Sequence, residues 1–179
     1  MKKSQTMIVA GLLILLTAFF GLQGQAARAK DTPKLLAFET MIGVPKPYTG
    51  PTNTIRNLAG GGLPWVISDA QGELKANGEL HVKVKGLVLD PNDPGVIAAG
   101  RAGQNPIANF GAIVSCLSKD GSGNPTIVNV PTTDLFPATT GLGGGDAEIE
   151  AQLSLPKPCI APIVFVTSPG GAWFAATGN

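Results

Sequence analysis

Histidine is almost missing from this chain. The single imidazole is His81, whereas Ser-His-acid and Cys-His hydrolases need a base beside the nucleophile. His81 stands between Leu80 and Val82 in a strand-like segment, where a solvated residue opposite Glu73 is the expected role. The one Gly-Ser-Gly, Gly121 to Gly123, is turn-like and lacks the G-x-S-x-G spacing of a nucleophile elbow. Cysteine is nearly as scarce. Cys116 and Cys159 are the whole complement, and neither sits in a C-x-x-C pair, so no redox dithiol and no zinc cluster is expected.

Charge is thin as well. Charged residues make up 14% of the chain, against roughly 25% in an average domain. Nucleic-acid binding needs clustered Lys and Arg to displace counterions, and no such cluster is present. A basic amphipathic helix lying on lipid is excluded on the same ground. The third absence is helical periodicity. Beyond residue 29, no stretch of a dozen residues keeps an apolar repeat near 3.6.

What is present begins with Lys2 and Lys3, an apolar run from Met7 to Leu22, and Ala27-Arg28-Ala29. A positive start, a greasy run and an A-x-A site in that order predict a secretory signal peptide. As a helix the run reaches roughly 24 Å, short of a hydrocarbon core of about 30 Å. Cleavage is therefore expected in preference to an uncleaved anchor. The domain boundaries predicted are 1–29 for the signal peptide and 30–179 for the secreted portion. Losing Lys2, Lys3 and Arg28 from 13 basic residues leaves 10 against 12 acidic, a balance of −2. No further greasy segment follows, so no membrane insertion is expected after cleavage. Secretion, or residence in a periplasm or cell envelope, is the expected localisation. No N-x-S/T acceptor with an allowed middle residue occurs, which suits a bacterial source. In such a compartment Cys116 and Cys159 read as one disulfide.

The secreted part is rich in punctuation, with 24 Gly and 15 Pro in the whole chain. Short alternating or apolar runs are closed by Gly, Pro, Asn or Asp. Strands are predicted near 35–42, 65–75, 79–89, 109–118, 126–130, 147–155, 161–167 and 171–177, with turn-rich pieces between them. The pattern predicts an all-β, single-domain, two-sheet Greek-key sandwich of the immunoglobulin-like kind. It lacks the Cys…Trp…Cys spacing of antibody domains.

One hairpin is set in register by charge. With Ala76-Asn77-Gly78 as a three-residue loop, Leu74 faces Leu80, Gly72 faces Val82 and Ala70 faces Val84. On the other side Lys75 meets Glu79, Glu73 meets His81, Gln71 meets Lys83 and Asp69 meets Lys85. Ala147 to Leu155 alternates apolar and polar. Ile160 to Val166 is apolar on both faces and should be central.

Few groups are candidates for chemistry or binding. Trp65 and Trp173 follow glycine-rich segments at strand starts. With Tyr48 they are the candidates for stacking on a sugar or small apolar ligand, set against a role capping the core. Asp90, Asn92 and Asp93 form a loop of oxygen donors that could take Ca²⁺, though these are also ordinary turn residues. Glu148 and Glu150 lie on one strand face roughly 6.5–7 Å apart, near the spacing of an inverting glycosidase. Such a pair is also usual on an outward strand face. Gly141 to Gly145 reads as a flexible loop, since no Lys follows where a phosphate loop needs one. The functional expectation is an exported, non-enzymatic β module with a structural or interaction role at the envelope. A glycan or an envelope component would be its partner. A carbohydrate- or small-ligand-binding domain is the alternative, and an extracellular hydrolase the remote one.

Overall fold

Alternating and doubly apolar segments form strands here because their side chains can be buried only against a second sheet. The computed structural model describes residues 32–178, so the predicted signal peptide, residues 1–29, lies outside the described residues. The strands are β1 (Lys34–Phe38), β2 (Met41–Gly43), β3 (Gly50–Ile55), β4 (Leu58–Gly60), β5 (Trp65–Val66), β6 (Asp69–Lys75), β7 (Glu79–Lys85) and β8 (Val88–Leu89). They continue with β9 (Gln104–Asn105), β10 (Asn109–Lys119), β11 (Pro125–Pro131), β12 (Phe136–Pro137), β13 (Gly141–Leu142), β14 (Ala147–Gln152), β15 (Ile160–Thr167) and β16 (Trp173–Thr177). One short helix, α1 (Pro94–Ala98), interrupts them. No helix among the described residues is long and apolar enough to cross a membrane.

Two sheets dominate. The first has the order β1-β6-β7-β14; the second runs β11-β10-β15-β16-β4-β3, with β12 on β10 and β2 on β16. The hairpin β6–β7 has the register that charge pairing predicts, from Asp69 opposite Lys85 to Leu74 opposite Leu80. Gly78 closes it at φ +91°. Ala70, Leu74, Leu80, Val82, Val84 and Ile149 of the first sheet are buried together with Phe110, Ala112, Val114, Val164 and Val166 of the second. β15 lies between β10 and β16, the central place its two apolar faces require.

The second sheet also buries part of its other face. Ile113 is opposite Phe165, and Thr167 is opposite Trp173; the two rings meet edge to face at 5.8 Å. The hairpin β3–β4 lies over that face. Trp173 Nε1 donates to the Leu58 carbonyl at 3.2 Å, Arg56 Nη2 to the Ala161 carbonyl at 3.0 Å, and Asn129 Nδ2 to the Arg56 carbonyl at 2.8 Å.

Several boundaries differ from expectation. The turn-rich piece from Val44 to Pro51 contains a 3₁₀ turn at Lys46–Tyr48 and the start of β3. Residues 153–155 lie beyond β14, which ends at Gln152. The turn at Asp90–Gly95 leads into α1 because Asp93 caps it, its Oδ1 accepting from the Gly95 and Val96 N–H groups at 2.8 and 3.1 Å. The Gly141–Gly145 segment is not a free loop. Gly141 and Leu142 pair with Asn105 and Gln104, and Gly145, at φ +86°, passes against the backbone of Leu87.

The disulfide Cys116–Cys159 is present, spanning 43 positions. Cys116 is buried in β10 and Cys159 precedes β15, so the bond ties one central strand to the entry of its neighbour.

Candidate functional site

The outward face of the first sheet gathers the densest set of chemically capable side chains. Alternation along β7 turns Leu80, Val82 and Val84 inward, which leaves His81, Lys83 and Lys85 outside. Alternation along β14 does the same for Glu148 and Glu150. The two strands are neighbours in the sheet, with Glu150 opposite His81 and Glu148 opposite Lys83. On its other side His81 faces Glu73 of β6. His81, distant in sequence, therefore joins the pair Glu148 and Glu150 in one cluster.

Its geometry is specific. His81 Nε2 lies 2.9 Å from Glu148 Oε1 and 3.9 Å from Glu150 Oε1. One ligand atom from each of the three residues falls within 4.8 Å of the other two. Glu73 does not join them, because Lys34 and Lys75 hold its carboxylate, Lys75 at 3.5 Å. Lys75 also bonds Glu79 at 2.6 Å. The bond to Lys34 keeps Glu73 below the usual carboxylate range. Glu148 is held low chiefly by its bond to His81 and then by the charge of Lys83. Glycoside hydrolysis by inversion needs one carboxyl kept protonated near neutrality; Glu148 is pushed the other way. What the cluster offers instead is an imidazole nitrogen and two carboxylates at one point of the surface.

The expected ligand-binding aromatics are separated. Trp65 is buried, stacked on Phe174 with centroids 4.1 Å apart. Trp173 is buried on the opposite face of its sheet, against Phe165. Neither indole presents a free ring face, so the three residues form no stacking platform. Tyr48 is exposed, and with Ile42, Pro45, Ile55, Ala176 and an edge of Trp173 it lines a shallow apolar groove of about 280 Å³.

The oxygen-rich loop is likewise committed internally. Asp93 Oδ1 caps α1 and its Oδ2 pairs with Lys46 at 2.7 Å. Asp90 Oδ1 accepts from the Asn92 N–H at 2.9 Å, an Asx turn. Both carboxylate oxygens of Asp93 thus bond within the protein.

Three organising residues escape sequence reasoning. Asn105 is fully buried and satisfies three backbone groups: Nδ2 donates to the Ile107 and Thr139 carbonyls, and Oδ1 accepts from the Ile107 N–H. Its partner Thr139 is too distant in sequence for local pattern to reveal the pairing. Arg56 and Asn57 occupy positive φ (52° and 64°) in a two-residue turn, where glycine is the usual signal.

Comparison with protein-family models, with curated proteins and with solved structures finds no match to this chain.

Proposed function

We propose that this protein is an exported, non-enzymatic β module with a structural or interaction role at or outside the cell envelope. Residues 1–29 serve as its cleaved leader and 30–179 as the working domain. The observation that carries this reading is the Cys116–Cys159 bond at the edge of the core, because such bonds persist in oxidising compartments. The leader pattern at Lys2 to Ala29 agrees with it. The Greek-key part of the fold assignment is supported by two returns, β14 to the side of β7 and β15 to the side of β10. The first sheet sets β1 beside the hairpin β6–β7 while β2, β3 and β4 between them join the second sheet, so the likeness to immunoglobulin domains is one of architecture rather than strand order.

Expression of the full chain in a bacterium, with fractionation and mass measurement, tests this reading. The expected product starts near Lys30, lies outside the cytoplasm and contains no titratable thiol. A full-length cytoplasmic product with two free thiols would refute export.

The small-ligand alternative has one specific observation in its favour, the apolar groove beside Tyr48. A glycan array and a panel of small apolar compounds, with Tyr48→Ala in parallel, decide it. Binding that disappears in the variant supports a ligand site; absence of binding to wild type leaves the structural role.

A further inference from the structure

The geometry points to a surface site for a borderline divalent metal ion of the zinc class, ligated by His81 Nε2 and one carboxylate oxygen each from Glu148 and Glu150. It goes beyond the export reading and does not depend on it. Two ligands of a tetrahedral Zn²⁺ with bonds of about 2.05 Å stand about 3.3 Å apart. The distances from His81 Nε2 to the two carboxylates, 2.9 and 3.9 Å, bracket that spacing. All three ligand atoms lie within 4.8 Å of one another, so small rotations of exposed glutamates bring them onto one ion.

Three further features favour a metal over a mere ion pair. β7 is hydrogen-bonded on both sides, by β6 and β14, so the backbone that carries the imidazole is rigid. Glu73, the other carboxylate facing His81, is held by Lys34 and Lys75 and does not compete for the ring. The ligand set also selects the metal. Imidazole with carboxylates suits zinc, copper or nickel, whereas Mg²⁺ and Ca²⁺ prefer all-oxygen shells. Three protein ligands leave a fourth tetrahedral position facing solvent, open to water or to a donor from a partner.

The cluster also contains its own competitor. Lys83 is opposite Glu148 in register, and its ammonium lowers the charge available to an incoming cation. Removing that ammonium should tighten metal binding, whereas only a shared site should also depend on both glutamates.

Because His81 is the only histidine, its ring resonances in the untagged full chain report on this site without interference. Titration with Zn²⁺ should shift them saturably at one ion per chain, while Mg²⁺ leaves them unmoved. Glu148→Gln and Glu150→Gln should each weaken binding at least about tenfold, and Lys83→Gln should strengthen it. Glu148 and Glu150 are exposed and Lys83 is half-buried on the same outward face, and a circular-dichroism melt shows whether each variant remains folded. No ring shift in the wild-type protein at about 1 mM Zn²⁺ would overturn the site. Unchanged affinity in both glutamine variants would overturn it equally.

Discussion

Gly78 carries two constraints that a side chain cannot meet together. Its φ of +91° lies in the left-handed region, and a Cβ there would run into the Leu153 carbonyl, which accepts no such approach. The Leu153 N–H also donates to the Gly78 carbonyl at 2.9 Å, so the hairpin tip cannot easily move away. Gly78→Ala should destabilise the protein by about 2 kcal/mol or more, read from chemical denaturation. Asp93 is the second instructive residue. The Lys46 ammonium, with the Val96 and Gly95 N–H groups, holds its carboxyl below the ordinary 3.8. A carboxyl lowered by folding contributes stability that is complete above its unfolded value and is lost as pH falls below it. Unfolding free energy should therefore be flat near neutrality and decline in acid below about pH 5. Asp93→Asn, which keeps the cap and removes the charge, should make that decline shallower. An equally steep acid limb in the variant would show that the Lys46 pair contributes nothing.

At the scale of elements, the hairpin β6–β7 was legible because its two strands are neighbours in sequence. Alternation chose the faces, and opposite charges chose between a two- and a three-residue loop. Lys75 and Glu79 bond at 2.6 Å at its closed end. Lys75→Glu should lower the unfolding midpoint by setting three carboxylates, at 73, 75 and 79, together. The swap Lys75→Glu with Glu79→Lys should recover part of the loss; no recovery would mean that the pair has no coupling. The hairpin β3–β4 was illegible for the opposite reason. The residues of β3, Gly-Pro-Thr-Asn-Thr-Ile, start in a turn-rich piece and stay exposed at four of six positions, so no alternation marks a strand, and Ile55 and Leu58 are only partly buried against the core. The metal-ligand cluster was half legible. Each residue was placed correctly on an outward face, but β14 joins β7 only through a return of more than sixty positions, His81 and Glu148 being 67 apart. No local pattern encodes that pairing.

For the whole molecule, the disulfide sets the reference for stability. Cross-linking across 43 positions restricts the unfolded chain by roughly 4 kcal/mol of entropy. In a domain of this size that corresponds to a midpoint lowered by about 8–16 °C on reduction, measured by calorimetry with and without reductant. An unchanged midpoint would mean that the bond constrains nothing that the packed sheets do not already constrain. The bond lies at the edge of the core shared by the two sheets, so its loss frees the entry of β15 rather than a peripheral loop.

The all-β class, the alternation of β7 and β14, one hairpin register and the pairing of two cysteines follow from local periodicity or from having a single possible partner, and so were legible along the chain. Tertiary structure alone decided which strands became neighbours. It buried both tryptophans on opposite faces of one sheet, drew Asp93 into a helix cap with Lys46, and brought His81 to Glu148 and Glu150. These outcomes depend on which distant faces come together, and the residues along one face drive its burial without specifying the partner that covers it.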